Sequence, residues 1–373
     1  MASRARQAAF RILLRVDQGA WASELLAREG LSAADAGLTT AIVFGVLRHQ
    51  AQLDFVLSER VTLKKLDPEV LISLRIGAYQ LLFLDRVPVH AAVSESVDLV
   101  KRARKSSASG LVNAVLRRVG RTVPEWPSRE VRWSMPAWLL ERWDAEYGAE
   151  TSERIAAAFL QTPETWVRNP PATVQAEPAA DVPGAWRLVS GSAEGLRVQD
   201  VGSQTVVPLL ELQAGMRFLD VCAAPGNKTA QALETEGVTA VACDRYDHRL
   251  RNVSGCARVV LDGTEPLPFR PVFDRILVDA PCSGTGTLGR NPEIRWKLKP
   301  GDIEELHTRQ VAILRNSLQL LNAEGRLVYA TCSLESRENQ DVVAASGAEV
   351  LREHRRIPGI DAGDGFYAAV LRR

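Results

Sequence analysis

Two cysteines occupy segments of the same kind. One lies in DAPCSGTGT (279–287) and the other, fifty residues on, in ATCSLES (330–336); each segment reads as a strand running into a loop. The chain has five cysteines in 373 residues, and a cysteine is more often a small buried hydrophobe than a reagent. A thiolate held at a strand end is nevertheless a strong nucleophile. Acids fall at similar places: Asp244 in VACD, Asp279 in LVDAP, and Asp262 in VVLDG. In FLDVCAAPGNKT a strand feeds a turn that carries Cys222 and Gly226. Glycine there lets a nucleotide-like ligand approach the main chain closely.

The turn has neither the G-x-G-x-x-G of dinucleotide folds nor the G-x-x-x-x-G-K-[ST] of phosphate loops, which disfavours NAD and ATP. Asp244 lies 18 positions after Gly226, about the spacing at which a carboxylate holds the ribose hydroxyls of an adenosine cofactor. Asp262 stands where a later loop reaches the adenine. A ribose carboxylate without a pyrophosphate loop points to S-adenosylmethionine. Against that cofactor the thiols acquire a task. Carbon 5 of a pyrimidine is not nucleophilic, but a thiolate added to carbon 6 makes it so; a base later removes the carbon 5 proton and the thiol leaves. Competing chemistries lack their signatures. There is no G-x-S-x-G turn, no histidine spacing for a metal or triad, and no close C-x-x-C pair for redox work. The acid or Asn followed by Pro-Pro and an aromatic, typical of N-methylation, is absent, and DAPC stands in its place.

Such residues need a scaffold that gathers them. From residue 215 the pattern repeats strand, loop and helix: MRFLDVCAA, VTAVACD, RILVDAP and GRLVYATCS are apolar strands, the last preceded by the long helix DIEELHTRQVAILRNSLQLL. Alternation of this kind predicts a Rossmann-type parallel sheet with helices on both faces. Ligands of such sheets bind beyond the carboxyl ends of the strands, which would bring Cys222, Asp244, Asp279, Cys282 and Cys332 to one edge.

The first 120 or so residues read as helices throughout. Ala5, Ala9, Ile12, Leu13 and Val16 share one face, Asp67-Pro68 opens a helix, and HAAVSESVDLVKRARK and SGLVNAVLRRV supply two more. Pro124, Pro127 and Pro136 mark a change of texture. Trp133, Trp138 and Trp143 follow, suited better to packing between domains than to stacking on bases. Residues 163–198 read as a connector with a small sheet. The expected organisation is a helical domain at 1–128, a connecting subdomain at 129–197 and an α/β domain at 198–373.

Charge divides along the same line. Residues 1–132 carry 20 Lys and Arg against 13 Asp and Glu, and a basic front half suits a polyanion such as nucleic acid. Arg11 and Arg15 interrupt the apolar stretch a signal peptide would need, and no apolar run approaches a membrane span. An odd cysteine count without framework spacing argues for a reducing cytoplasm.

Over nearly its whole length the chain resembles the RsmB (Sun, Fmu) family of bacterial 16S ribosomal RNA cytosine-5 methyltransferases. The resemblance rests on LRIGAYQLLFLDRVPVHAAVSESVDLVK and GLVNAVLRR in front. Behind, it rests on VQDVGSQ, DVCAAPGNKT, DAPCSGTG, GRNPEIRW, ATCSLESREN and GDGFYAAVLRR. It implies an all-α NusB-like domain ahead of the methyltransferase, small-subunit ribosomal RNA as partner, and a monomer. It also implies that Cys332 is the nucleophile and Cys282 the second cysteine that helps release the product, an assignment that spacing does not supply. Cofactor binding would fall to Cys222, Ala223, Ala224, Pro225, Gly226, Asn227 and Lys228, with Asp244, Asp262 and Asp279. Lys228 would be a fixed positive charge favouring the thiolate, and Asp279 would also face the cytosine. A transfer RNA substrate, or a non-catalytic RNA-binding assembly or antitermination factor, are the alternatives. The sequence departs from the family in three places: Asn227 replaces a glycine, the stretch from Asp244 to Asp262 is short for a crossover helix, and 163–198 looks trimmed.

Overall fold

A computed structural model describes residues 2–373. The chain forms two compact units, each continuous in space but not in sequence. One comprises the chain up to Asp144 with Ala156–Gln161 and Leu288–Lys297; the other comprises Ala145–Ile155, Thr162–Thr287 and Leu298–Arg373. Three discontinuous pieces thus take the place of the simple boundary expected near residue 128. GRNPEIRW, counted with the rear domain in the sequence, packs in the helical unit.

The first unit is helical, as expected. In Arg4–Asp17, Ala5, Ala9, Ile12, Leu13 and Val16 are all buried, because their spacing puts them on one face of a 3.6-residue repeat. Pro68 starts the helix Pro68–Phe83, with Asp67 at the N-cap position. The Asp67 side chain does not cap; it pairs with Lys105 at 2.8 Å. The helices Val89–Arg102 and Ser109–Val119 lie where the periodicity places them, and Trp143 is buried against Phe159.

In the second unit three short strands, β1 (Trp166–Arg168), β2 (Ala176–Pro178) and β3 (Ala185–Leu188), form a small antiparallel sheet in the order β1-β3-β2. This is the small sheet expected of the connector. The main sheet contains β4 (Arg217–Asp220), β5 (Thr239–Asp244), β6 (Ala257–Val260), β7 (Phe273–Asp279), β8 (Leu321–Thr331), β9 (Glu349–Arg356) and β10 (Phe366–Arg372). Their order is β6-β5-β4-β7-β8-β10-β9. The first five are parallel neighbours. Helices cover both faces. Ile313, Leu314 and Leu318 of the helix Pro300–Leu318 pack on Leu219, Ile276, Val278 and Tyr329. Ala232 and the turn Val207–Leu210 pack on Phe218, Leu277 and Val328.

The sheet is not wholly parallel, which corrects the sequence reading. β10 runs antiparallel to both β8 and β9. The link from β9 to β10 spans only residues 357–365, fewer than a parallel crossover requires. Between β5 and β6 stands a single helical turn, Asp247–Leu250, in keeping with the shortness noted there. The helix after β4, Asn227–Ala232, is also short.

Candidate active site

Strand order reverses between β4 and β7, since β5 and β6 lie to one side and β8 to the other. Crevices open at such switch points beyond the carboxyl ends of the strands. Every singled-out group of the rear domain lies at this end of the sheet. Asp244 closes β5, Asp279 closes β7, and Cys332 follows Thr331 at the end of β8. β7 and β8 are parallel with Asp279 opposite Ala330, so Cys282 and Cys332 emerge into adjoining loops. Their sulfurs are 3.4 Å apart and share a hydrogen bond.

Two main-chain bonds bring these loops together. Gly286 N–H donates to the Cys332 carbonyl at 2.9 Å, and Gly365 N–H donates to the Gly286 carbonyl at 2.8 Å. A Cβ at residue 286 would lie 2.4 Å from the Gly365 oxygen and 2.8 Å from the Cys332 oxygen, so only glycine fits the crossing. Gly286 of DAPCSGTG is therefore a packing requirement, while Gly284 takes the left-handed conformation at φ 72°.

Lys228 Nζ lies 2.7 Å from Asp279 Oδ2, spanning the switch point from the turn after β4 to the end of β7. Burial works against the Lys228 ammonium, but Asp279 outweighs it and holds its pKa above the ordinary value, and Cys332 adds to that attraction. The ammonium also lies 5.1 Å from the centroid of the Phe366 ring. Cys282 has its thiol pKa pushed well up, first by its hydrogen bond to Cys332 and then by burial. Burial likewise raises Cys222 and Cys256, and pushes Cys243 up to about 12. Cys243 is buried, Cys222 and Cys256 are half-buried, and all five cysteines are free.

A cleft beside the thiols is lined by Cys222, Ala224, Asp244, Asp262, Asp279 and Pro281, with Arg245, Tyr246 and Arg309 among its other walls. Its acids are fixed in place. Asp244 accepts Ala224 N–H at 3.1 Å on one oxygen and Tyr246 N–H at 2.9 Å on the other, which leaves lone pairs for ribose hydroxyls. The N–H and hydroxyl of Thr264 hold the Asp262 carboxyl below its ordinary range. The donor set therefore fits the adenosine half of S-adenosylmethionine. Among the described residues no group of His, Cys, Asp and Glu could hold a metal ion.

The other expected cofactor residues build the turn. Ala223 packs with Ala242, Leu250 and Val253, and Pro225 is exposed. Gly226 takes the left-handed conformation at φ 110°. Asn227 does not need that freedom: it opens the helix Asn227–Ala232 and donates its side-chain amide to the Val198 carbonyl at 3.2 Å.

Sequence reasoning missed several groups. Tyr246, 48% exposed, offers a ring to the cleft two residues after Asp244; an aromatic so soon after a strand-end acid was the available signal. Asp220, at the end of β4, accepts the Thr229 hydroxyl at 2.7 Å, and burial pushes its carboxyl up to about 7. Glu338 is fully buried beneath the two cysteine loops, and nothing in its polar sequence context marked it out.

Comparison with known proteins is consistent with this architecture. Residues 207–356 match the family model of the 16S rRNA methyltransferase RsmB/F, and residues 3–121 that of the NusB family. The ribosomal RNA small subunit methyltransferase B of Salmonella agona (strain SL483) is 34% identical, over 95% of this chain and 95% of its own. That of Escherichia coli O127:H6 (strain E2348/69 / EPEC) is 33% identical over the same shares. Among solved structures, PH0851 shares the fold with a TM-score of 0.82 at 21% identity, covering 100% of both chains. NSun6 from Pyrococcus horikoshii with SFG gives 0.57 at 16% identity, covering 64% of this chain and 98% of that one.

Proposed function

Because the chain belongs to the ribosomal RNA small subunit methyltransferase B family, we propose that it methylates carbon 5 of a cytosine in 16S ribosomal RNA through a covalent cysteine adduct. The observation that carries the adduct is the pair of thiols 3.4 Å apart, at the cofactor-facing edge and beside an ion-paired lysine.

S-adenosylmethionine, when bound in the cleft, supplies an electrophilic methyl group. The chain's own residues do the rest. Asp244 holds the ribose and Asp262 stands toward the adenine, while the turn from Cys222 to Lys228 lies against the cofactor. Lys228, kept charged by Asp279, favours the thiolate on Cys332 by attraction. Cys332 sulfur adds to carbon 6 of the base, moving an electron pair toward carbon 5. Asp279 faces the polar edge of the same base. After methylation a base removes the carbon 5 proton, the carbon–sulfur bond breaks, and its electron pair returns to Cys332. Cys282, whose raised pKa keeps it a thiol at neutral pH, donates to the departing sulfur and stabilises it as thiolate. Roles therefore divide: Cys332 attacks and Cys282 assists release.

The basic helical unit binds the RNA backbone, and the target base is extruded into the site. The protein acts as a monomer in the cytoplasm, where free thiols stay reduced.

The test is incubation of wild type, Cys282→Ala and Cys332→Ala with radiolabelled S-adenosylmethionine and unmodified small-subunit RNA, followed by a denaturing gel. Expected is a labelled protein–RNA adduct in Cys282→Ala only, with neither adduct nor methylation in Cys332→Ala. An adduct confined to Cys332→Ala reverses the roles. No transfer by wild type, or transfer only to transfer RNA, overturns the assignment of substrate and activity.

A further inference from the structure

We propose that Glu338 is a positioning residue that sets the gap between the Cys282 and Cys332 sulfurs; this rests on the two-cysteine reading above. Glu338 closes the short turn Ser336–Glu338 after β8 and is fully buried. Its Oε1 accepts Ser283 N–H at 2.8 Å and Gln310 Nε2 at 3.0 Å. Its Oε2 accepts the hydroxyls of Ser283 and Ser333. Ser283 follows Cys282 and Ser333 follows Cys332, so one carboxylate grips both cysteine loops at the residue next to each sulfur.

The grip is anchored from outside the loops. Gln310 belongs to the helix Pro300–Leu318 and also donates to the Pro281 carbonyl at 2.9 Å. Tyr329 of β8 donates its hydroxyl to the Glu338 carbonyl at 2.6 Å, and Asn339 donates to the Ser333 carbonyl at 2.9 Å. Among the described residues no arginine or lysine pairs with this carboxylate; its donors are neutral. A buried charge of this kind is costly, and for stability alone an apolar side chain of similar volume often serves as well. What an apolar residue cannot do is accept four hydrogen bonds at once from two loops and a helix. Misplacement of a reacting group by about 1 Å lowers turnover roughly 100-fold, so fixing the sulfur separation is a function worth that cost.

Glutamine separates gripping from charge. It has the same length, accepts through its oxygen, and its amide can donate to serine hydroxyls, which accept as readily as they donate. Alanine removes the grip. The experiment compares wild type, Glu338→Gln, Glu338→Ala and Ser333→Ala in two assays. In the first, diamide takes two electrons and two protons from the neighbouring thiols, and the rate of Cys282–Cys332 disulfide formation is read by mass spectrometry. In the second, kcat and KM for methyl transfer are measured.

Wild type and Glu338→Gln are expected to crosslink at similar rates, with kcat within about threefold of each other; Glu338→Ala should crosslink at least tenfold more slowly and lose about 100-fold in kcat with KM unchanged. Ser333→Ala should fall between. A folded Glu338→Ala that crosslinks and turns over like wild type overturns the proposal. Should Glu338→Ala fail to fold, Ser333→Ala decides: a wild-type crosslinking rate there overturns the grip, and a slowed one supports it. Absence of methyl transfer by wild type would overturn the two-cysteine reading, while the crosslinking rates would still judge Glu338 by themselves.

Discussion

Of the five cysteines only Cys282 and Cys332 meet, their sulfurs 3.4 Å apart. What distinguishes the pair is its surroundings, since nothing in the side chain differs. Lys228 interacts electrostatically with Cys332, and its pairing with Asp279 at 2.7 Å links the turn after β4 to the end of β7. Replacing Lys228 by Met keeps the length and removes the charge. The expected result is a loss of about 100-fold or more in kcat, from the lost positive charge and a freed Asp279. The check is single-turnover methyl transfer at saturating cofactor, with cofactor affinity measured beside it. An unchanged rate would remove Lys228 from the reaction.

At the scale of elements, the close parallel pairing of β7 with β8 and the packing of helices on one another carry the geometry. The helix end at His49 shows how packing becomes pH dependence. Its ring stacks on Phe83 with centroids 4.2 Å apart and hydrogen bonds to Gln52 at 2.6 Å. Burial, reinforced by Arg48 and Arg295 and only partly opposed by that hydrogen bond, pushes its pKa down to about 4. The unfolded chain binds this proton near pH 6.5 and the folded one does not. Stability from this source is therefore fully present above pH 6.5 and is lost as pH falls toward 4, by up to about 3 kcal/mol. Thermal melts of wild type and His49→Gln between pH 7.5 and 4.5 should show a shallower acid decline in the variant. Equal declines would mean that other groups set the acid limit.

At the scale of the whole molecule, the helical unit is completed by a segment from far along the chain. Arg295, 1% exposed, donates to the carbonyls of Ser134 and Leu288 at 3.1 Å and of Phe159 at 3.3 Å. Trp296 donates to Leu47 at 2.8 Å, and Arg48 donates to Gly289 at 2.8 Å. Burial, with Arg48 nearby, pushes the Arg295 guanidinium down to about 9. Its removal would leave several buried carbonyls unpaired. Arg295→Ala should therefore destabilise the protein by roughly 3–5 kcal/mol, measured as a lower melting temperature with retained secondary structure below the transition. A change under about 1 kcal/mol would show that water replaces the guanidinium without loss.

The groups gathered at the sheet edge were legible early because they depend on residue type and local pattern. DAPCSG, ATCS, the acid at the end of VACD and the glycine turn are short-range signals, and the helical period of the front half is another. Strands β4, β5, β7 and β8 were visible because they are buried apolar runs. β6 and β9 were not, because they lie at the sheet edges and expose most of their residues, so burial writes no apolar run into them. The reversed direction of β10 follows from a short connection whose ends are known only once both strands are found. The 3.4 Å between the sulfurs depends on strand register and on two loops crossing at Gly286. The grip of Glu338 and the place of GRNPEIRW in the helical unit are contacts between residues tens to hundreds of positions apart. Local pattern determines which groups are present and at which strand end; their separations arise only when the chain closes on itself, because long-range packing sets them.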